Sequence, residues 1–599
     1  MPVVHLSARW LPRIPRPLAL LAMLALAHAW PAHAAAAAAA AERCPRPAPG
    51  APVPKPRDLR SENGALTLEL AVRDSKGADG STRYCYALPD GTQSPTLRLQ
   101  PGDLLVLRLR NELTGPDAAP ASLWMTLKHG HGGGAYARER GASPADVCSS
   151  GTMSATSTNL HFHGLSVPPL CHQDEVLKTS LQPGGVFEYR FRIPDDEPPG
   201  LYWYHPHIHG FTTAQVLGGA SGALIVEGIE RAIPEVAGLP ERVLVIRDQD
   251  LLHPQAPPSR SEPLVPQILL DADGDSANNH TGYGRPAKDL SVNFVPVPYP
   301  YYPPALIRIR PGERQLWRVL NASAVTYLHL AVLFNQAAQP LGVVAIDGVP
   351  INRRGGNAPS VAWADHIGVP PGGRAEFIVS GPPAGVPALF MTRSVDTGNG
   401  GENDPNRALA AILADADAPE PGPTLPRQPQ PLAPASLPWL GDVKPVRVRR
   451  LYFSENHADP NDPRSPTRYF ITEQGKTPQA FDPGSTEPNI VVRQGDVEDW
   501  IIENHSQELH AFHIHQLHFL LLDWFGLPVH EPFLRDTVNV PYYDLKMSGF
   551  PSVRLRMDFR DPNTVGTFLY HCHLLEHEDG GMMGTVRVEP AAPVSAAAR

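Results

Sequence analysis

Leu97-Arg98-Leu99-Gln100-Pro101-Gly102-Asp103, running on to Asn111, is a strand-like run, a glycine turn and a second strand-like run. The same plan returns as Ile307-Arg308-Ile309-Arg310-Pro311-Gly312-Glu313 to Asn321, and again as Ile490-Val491-Val492-Arg493-Gln494-Gly495-Asp496 to Asn504. In every copy the Gly and the Asn stand nine residues apart. Between them apolar and charged residues alternate, as in Gln315-Leu316-Trp317-Arg318-Val319. A period of two turns one face to a core and the other to solvent, so each copy reads as strand, turn, strand. Three copies of one unit predict an all-β chain of three β-sandwich domains. They are placed at 57–228, 232–416 and 446–590, with a Pro-rich linker over 417–445.

Composition agrees. The 599 residues are 42% hydrophobic, enough to fill several cores, and 69 Pro with 50 Gly cut the chain into short strands. Charged residues are only 19% and the net charge is -10, which argues against nucleic acid as a partner, since phosphate binding needs clustered Lys and Arg. At the N-terminus, Arg9, Arg13 and Arg16 precede an apolar run from Leu18 to Ala29 and then Ala32-His33-Ala34. That is the plan of a secretory signal peptide over 1–34, with an apolar run too short for a good membrane span. The expectation is an exported protein, periplasmic or secreted, monomeric and without a membrane span in its mature form. Export places the five cysteines where disulfides persist. Two bridges are expected, Cys44–Cys85 and Cys148–Cys171, leaving Cys572 as the odd thiol.

Four His-x-His pairs carry the chemistry: His161-Phe162-His163, His205-Pro206-His207, His513-Ile514-His515 and His571-Cys572-His573. In a strand, residues two apart point to the same face, so each pair aims two imidazoles at one place. Four pairs near the two ends of the chain point to one shared metal cluster. Cys572, between two histidines, points to the opposite face and can ligate a different metal. His577 follows it by five residues, Met582 by ten, and His510 lies three residues before His513. Two His, one Cys and a weak axial Met describe a blue-copper site. The first domain ends Gly200-Leu201-Tyr202-Trp203-Tyr204-His205-Pro206-His207 and the third ends Gly566-Thr567-Phe568-Leu569-Tyr570-His571-Cys572-His573. The two frames superpose, with Pro206 in the place of Cys572. The middle domain has Tyr327 where the third has His510, and reads as a copper-free spacer that shapes the substrate side.

These motifs resemble those of the multicopper oxidases, the family of laccases, copper-efflux oxidases, bilirubin oxidase and ascorbate oxidase. The run from His571 to Met583 is the most specific. The resemblance implies cupredoxin-like Greek-key sandwiches and four copper ions. It assigns His510, Cys572, His577 and Met582 to a type 1 copper, and His161 and His513 to a type 2 copper. His163, His205, His207, His515, His571 and His573 fall to a type 3 pair. It further implies one-electron oxidation of a small-molecule or metal-ion reductant near the His510 edge, coupled to reduction of dioxygen to water. Asp174 and Glu578 are the expected proton-delivery acids, because that reduction consumes protons. The chain departs from the family at Phe162 (usually Trp), Ala511 (usually Pro) and Gln516 (usually Gly). With only nine Met, a phenol or aromatic amine is favoured over cuprous ion. A cuprous or ferrous ion oxidase, or a copper-storage protein without turnover, is the alternative.

Three further features have plainer readings. His129-Gly130-His131 sits in an insertion and reads as a surface loop. Asp271, Asp273 and Asp275 start like a calcium loop, but Gly282 stands where its closing Glu is required, so they read as a turn. His209 and His518 lie beside ligands as supporting groups.

Overall fold

The computed structural model describes residues 42–115, 147–149, 152–257, 270, 275–355, 358–426, 437–459, 465 and 467–591. The signal segment, His129 to His131, Asp271 and Asp273 lie outside them.

The described chain builds six sheets that pair into three sandwiches. The first joins a four-stranded sheet to a five-stranded one that ends on strands Gly200–His205 and His161–His163. The second joins an eight-stranded to a six-stranded sheet, its strands running from Glu241–Gln249 to Arg407–Ala414. The third joins a six-stranded to a five-stranded sheet, from Arg447–His457 to Met583–Glu589. Each sandwich encloses its own apolar core.

The repeat is an arch rather than a hairpin, because its two strands enter different sheets. Thr96–Leu99 pairs in parallel with Gly222–Val226, whereas Leu104–Glu112 pairs in parallel with Ala65–Lys76 across the sandwich. Ala305–Ile309 and Arg314–Asn321 do the same with Arg407–Ala414 and Glu241–Gln249. Ile490–Arg493 and Val497–Asn504 pair with Met583–Glu589 and Arg447–His457. Gly102, Gly312 and Gly495 take φ of 85°, 69° and 101°, a left-handed turn that favours Gly. The acid after each Gly accepts the amide three residues earlier: Asp103 from Gln100, Glu313 from Arg310 and Asp496 from Arg493.

The Asn closes the unit. Asn111, Asn321 and Asn504 are fully buried, and each side-chain amide donates to two backbone carbonyls of other segments. Each side-chain carbonyl accepts the amide two residues on, from Leu113, Ser323 and Ser506. The residue thus satisfies backbone groups where the chain leaves the sheet. Asn321→Ala would leave the Thr326 and Val369 carbonyls and the Ser323 amide short of a partner. Each such loss costs roughly 1–3 kcal/mol. A marked fall in the thermal midpoint is expected, and an unchanged midpoint would show that these groups are satisfied otherwise.

The turn before Gly200 buries an acid. Glu197 accepts from the Ser166 amide at 3.1 Å. Burial, reinforced by Asp561, pushes its carboxyl up to about 8. A folded value raised above the unfolded 4.5 means that this stabilisation is complete below about pH 4.5 and lost as pH rises through about 8. Glu197→Gln should therefore flatten the decline of the melting temperature between pH 5 and pH 8, and melt higher than the parent at pH 8.

Candidate metal centres

Strand pairing delivers the histidines. His161 lies opposite His205, and His163 opposite Trp203. His513 lies opposite His571, and Phe512 opposite Cys572. Because strand side chains alternate, each pair of neighbouring strands presents its imidazoles on one face. The two faces meet. The His161 ring stacks on His515 at 3.8 Å between centroids, and His163 stacks on His513 at 3.9 Å. His207 Nε2 lies 3.5 Å and His515 Nε2 lies 3.2 Å from His571 Nε2. His573 closes the cluster, its ring 5.0 Å from that of His163. All eight are buried.

Most of these rings have one nitrogen tied outward. His161 Nδ1 faces Asp174 at 3.0 Å, and His163 Nε2 faces Asp536 Oδ1 at 3.2 Å. His205 Nδ1 meets the Pro206 carbonyl, His513 Nδ1 that of Asp536 and His571 Nδ1 that of Cys572. The inner nitrogens of His161, His163, His205 and His513 are buried without a hydrogen-bond partner, as are both of His573. Inward lone pairs on rings fixed from outside are the arrangement a metal completes. Burial first, and then chiefly neighbouring imidazoles, hold His163, His207, His513, His515 and His573 well below the ordinary range, with His205 held down in the same way. Burial takes His571 down to about 3. These seven rings are neutral, which is the ligating form.

Cys572 turns the other way, into the core of the third sandwich. Its Sγ lies 3.5 Å from His510 Nδ1 and 3.8 Å from His577 Nδ1, and those two nitrogens are 3.2 Å apart. Met582 is buried in the same core, and its carbonyl accepts the Cys572 amide. Burial pushes the thiol well above its usual range, so a thiolate there requires a cation beside it. The sequence puts the reductant at the His510 edge. The structure buries that edge completely: His510 Nε2 meets Ser506 Oγ at 2.7 Å and Glu455 at 3.1 Å. His577 is hardly more open, stacked on Tyr469 with Nε2 3.3 Å from Glu508.

Asp174 also accepts the Phe162 amide at 2.9 Å and the Gln516 side-chain amide at 2.5 Å. Glu578 is fully buried, 3.2 Å from His571 Nδ1 and 3.6 Å from His207 Nδ1, and burial followed by Asp579 raises its carboxyl well up. Phe162 points into the first core against Tyr189 and Phe191. His518 reaches the Asp347 carbonyl, His209 packs on Phe481, and Asp275 pairs with Lys288. The structure bridges Cys44 to Cys85 and Cys148 to Cys171 and leaves Cys572 free.

Sequence reasoning did not find Asp536 or Arg374. Arg374, from the middle sandwich, grips Asp536 of the third with both Nη atoms at 2.7 and 2.5 Å, and donates to the Leu201 carbonyl of the first. The middle sandwich is thus more than a spacer. A Cβ on its Gly372 would fall 2.6 Å from His573 Nε2, and Tyr327 donates to the Leu509 carbonyl beside His510.

The sandwiches and the two donor sets define a copper-binding redox protein. Family profiles described as multicopper oxidase match residues 152–231 and 460–592. The chain is 25% identical over 479 residues to the iron transport multicopper oxidase FET3 of Gibberella zeae, covering 73% of this chain and 68% of that one. It is 24% identical to the multicopper oxidase MmcO of Mycobacterium tuberculosis, covering 71% and 75%. The structure of a multicopper oxidase from Campylobacter jejuni, titled a metallo-oxidase, superposes with a TM-score of 0.60 at 22% identity, covering 91% and 96%. The first and third sandwiches thus carry regions that match multicopper oxidase domains, and the chain is a copper-dependent oxidoreductase that uses dioxygen.

Arg374→Met would leave Asp536 buried and uncompensated beside His163. Breaking such a pair costs about 3–5 kcal/mol. Denaturation should show that loss, with Arg374→Lys falling between the two.

Proposed function

We propose that the chain holds four copper ions. His510, Cys572, His577 and Met582 would take the type 1 ion, and His161 with His513 the type 2 ion. His163, His205, His207, His515, His571 and His573 would take the type 3 pair. The observation that carries this reading is the set of buried, partnerless inner nitrogens facing one another across two sandwiches. Bound copper supplies the one-electron redox chemistry that side chains lack, so that four single-electron oxidations can be coupled to reduction of dioxygen to two waters.

The residues of the chain do the rest. Cys572 shares a backbone with His571 and His573, so its sulfur is a few covalent bonds from two cluster imidazoles. Asp174 holds the His161 ring by its outer nitrogen. Glu578 keeps a proton in the buried space between His207 and His571, and relays, together with Asp174, the protons that water formation consumes. Export is part of the proposal, supported by the two disulfides, which persist in an oxidising compartment. No helix among the described residues is long and apolar enough to cross a membrane.

Two observations bear on the reductant. The outer nitrogens of His510 and His577 each face a carboxylate, Glu455 and Glu508. Oxygen donors suit a hard cation, so ferrous ion fits this edge better than the softer cuprous ion. A phenol is the second reading, favoured by an aromatic stack next to Ser506, in which His505 lies between Tyr452 and the half-exposed Phe550.

Cys572→Ser should abolish both the blue absorption and turnover, and a variant that oxidised substrate at the parent rate would sink the assignment. Steady-state rates on ferrous ion, cuprous ion and a phenol, with oxygen uptake followed on copper-loaded protein, should rank ferrous ion first, and Glu508→Gln should lower that rate selectively. A copper-loaded sample that consumed no oxygen would point to storage instead.

A further inference from the structure

We infer that Gln516 is a positioning residue for His161, acting through Asp174 from the opposite sandwich. The inference rests on the reading of His161 as a copper ligand.

Gln516 occupies a place where glycine would be the easier choice. The chain itself shows this. His161-Phe162-His163 is followed by Gly164 at φ of 90°, and His513-Ile514-His515 by Gln516 at φ of 58°. Both turns lie in the left-handed region, where a side chain other than Gly is strained. The Gln516 side chain is also buried, only 2% of the residue being exposed, and its carbonyl oxygen has no hydrogen-bond partner. Strained backbone and an unmet buried acceptor are both unfavourable. One polar contact offsets them: the amide Nε2 donates to Asp174 Oδ2 at 2.5 Å.

That contact fixes a carboxylate already committed on two sides. Asp174 Oδ1 accepts the Phe162 amide at 2.9 Å, and Oδ2 lies 3.0 Å from His161 Nδ1. With Gln516 as a third anchor, the carboxylate cannot rotate away from the ring. His161 Nδ1 therefore stays against the carboxylate, and the partnerless Nε2 stays turned inward. The anchor comes from the third sandwich while Asp174 and His161 belong to the first. The contact thus ties the ring's orientation to the approach of the two sandwiches.

The experiment compares Gln516→Gly and Gln516→Met with the parent, all copper-loaded. Gly removes the donor and the strain; Met removes the donor but keeps the volume. Two readouts are used: copper retained per chain against increasing chelator, and the type 2 signal by electron paramagnetic resonance. Outer-shell partners of a ligating His commonly govern metal affinity by about 10–100-fold. Both variants should release their first copper at a chelator concentration lower by a factor in that range, with an altered type 2 hyperfine splitting. The metal-free melting temperature of Gln516→Gly should not fall. If both variants matched the parent in retention and spectrum, or if Met matched it and only Gly did not, the side chain would merely fill space and the inference would be overturned. A parent protein that bound no type 2 copper would overturn the reading of His161 itself, which separates the two failures.

Discussion

The strand Gly566–Cys572 and the residue after it impose one geometric rule on everything around them. Successive side chains on a strand point to opposite faces, so a Cys between two His cannot share a site with either neighbour. The rule puts Cys572 inside the third sandwich with His510 and His577, and turns His571 outward to meet His207 and His515. Two donor sets therefore form on the two sides of one strand, separated by little more than its thickness. No loop could set that separation as tightly, because the sheet hydrogen bonds fix the strand from both sides.

The outward face creates a second demand. Eight imidazoles gathered between two sandwiches are buried, and the carboxylates that orient them are buried too. Such groups are tolerable only when each has a partner or a metal. The fold answers with buried ion pairs that cross between sandwiches. Arg374 joins the middle sandwich to Asp536, whose own oxygens reach His163 and His513. Farther out, Arg98 of the first sandwich contacts Asp58, Glu227 and Glu241, while Arg318 of the second contacts Glu241 and Glu376, and Glu376 accepts the Leu201 amide. Leu201 lies four residues before His205, so these pairs and the cluster lean on the same strand.

What the sequence made legible follows from what repeats along it. The nine-residue interval from Gly to Asn was readable because three sandwiches solve one problem in one way: a left-handed turn between sheets and an amide that closes the exit. The four His-x-His pairs were readable because strand parity is a local rule. Arg374, Asp536 and Gln516 were not, since each acts on a residue more than 160 positions away through a contact with no period. Gln516 left a faint trace as a departure from glycine, whose meaning required the position of Asp174. The burial of the His510 edge was equally hidden, because Glu455 comes from a strand of the other sheet.

That buried edge constrains how the two sites can be used. An outer-sphere reductant must pass its electron through a histidine edge or through what covers it. Here the polar covers are Ser506, Glu455 and Glu508, of which only Glu455 is appreciably exposed. Charge decides between candidate partners more than shape does. Two carboxylates beside the histidines favour a reductant that arrives positively charged, or one that must shed a proton as it loses an electron, and disfavour an anion. Ferrous ion meets the first condition and a phenol the second. The two readings share this electrostatic feature, to which the phenol adds the aromatic stack of Tyr452, His505 and Phe550, and they differ in whether the carboxylate acts as a ligand or as a base.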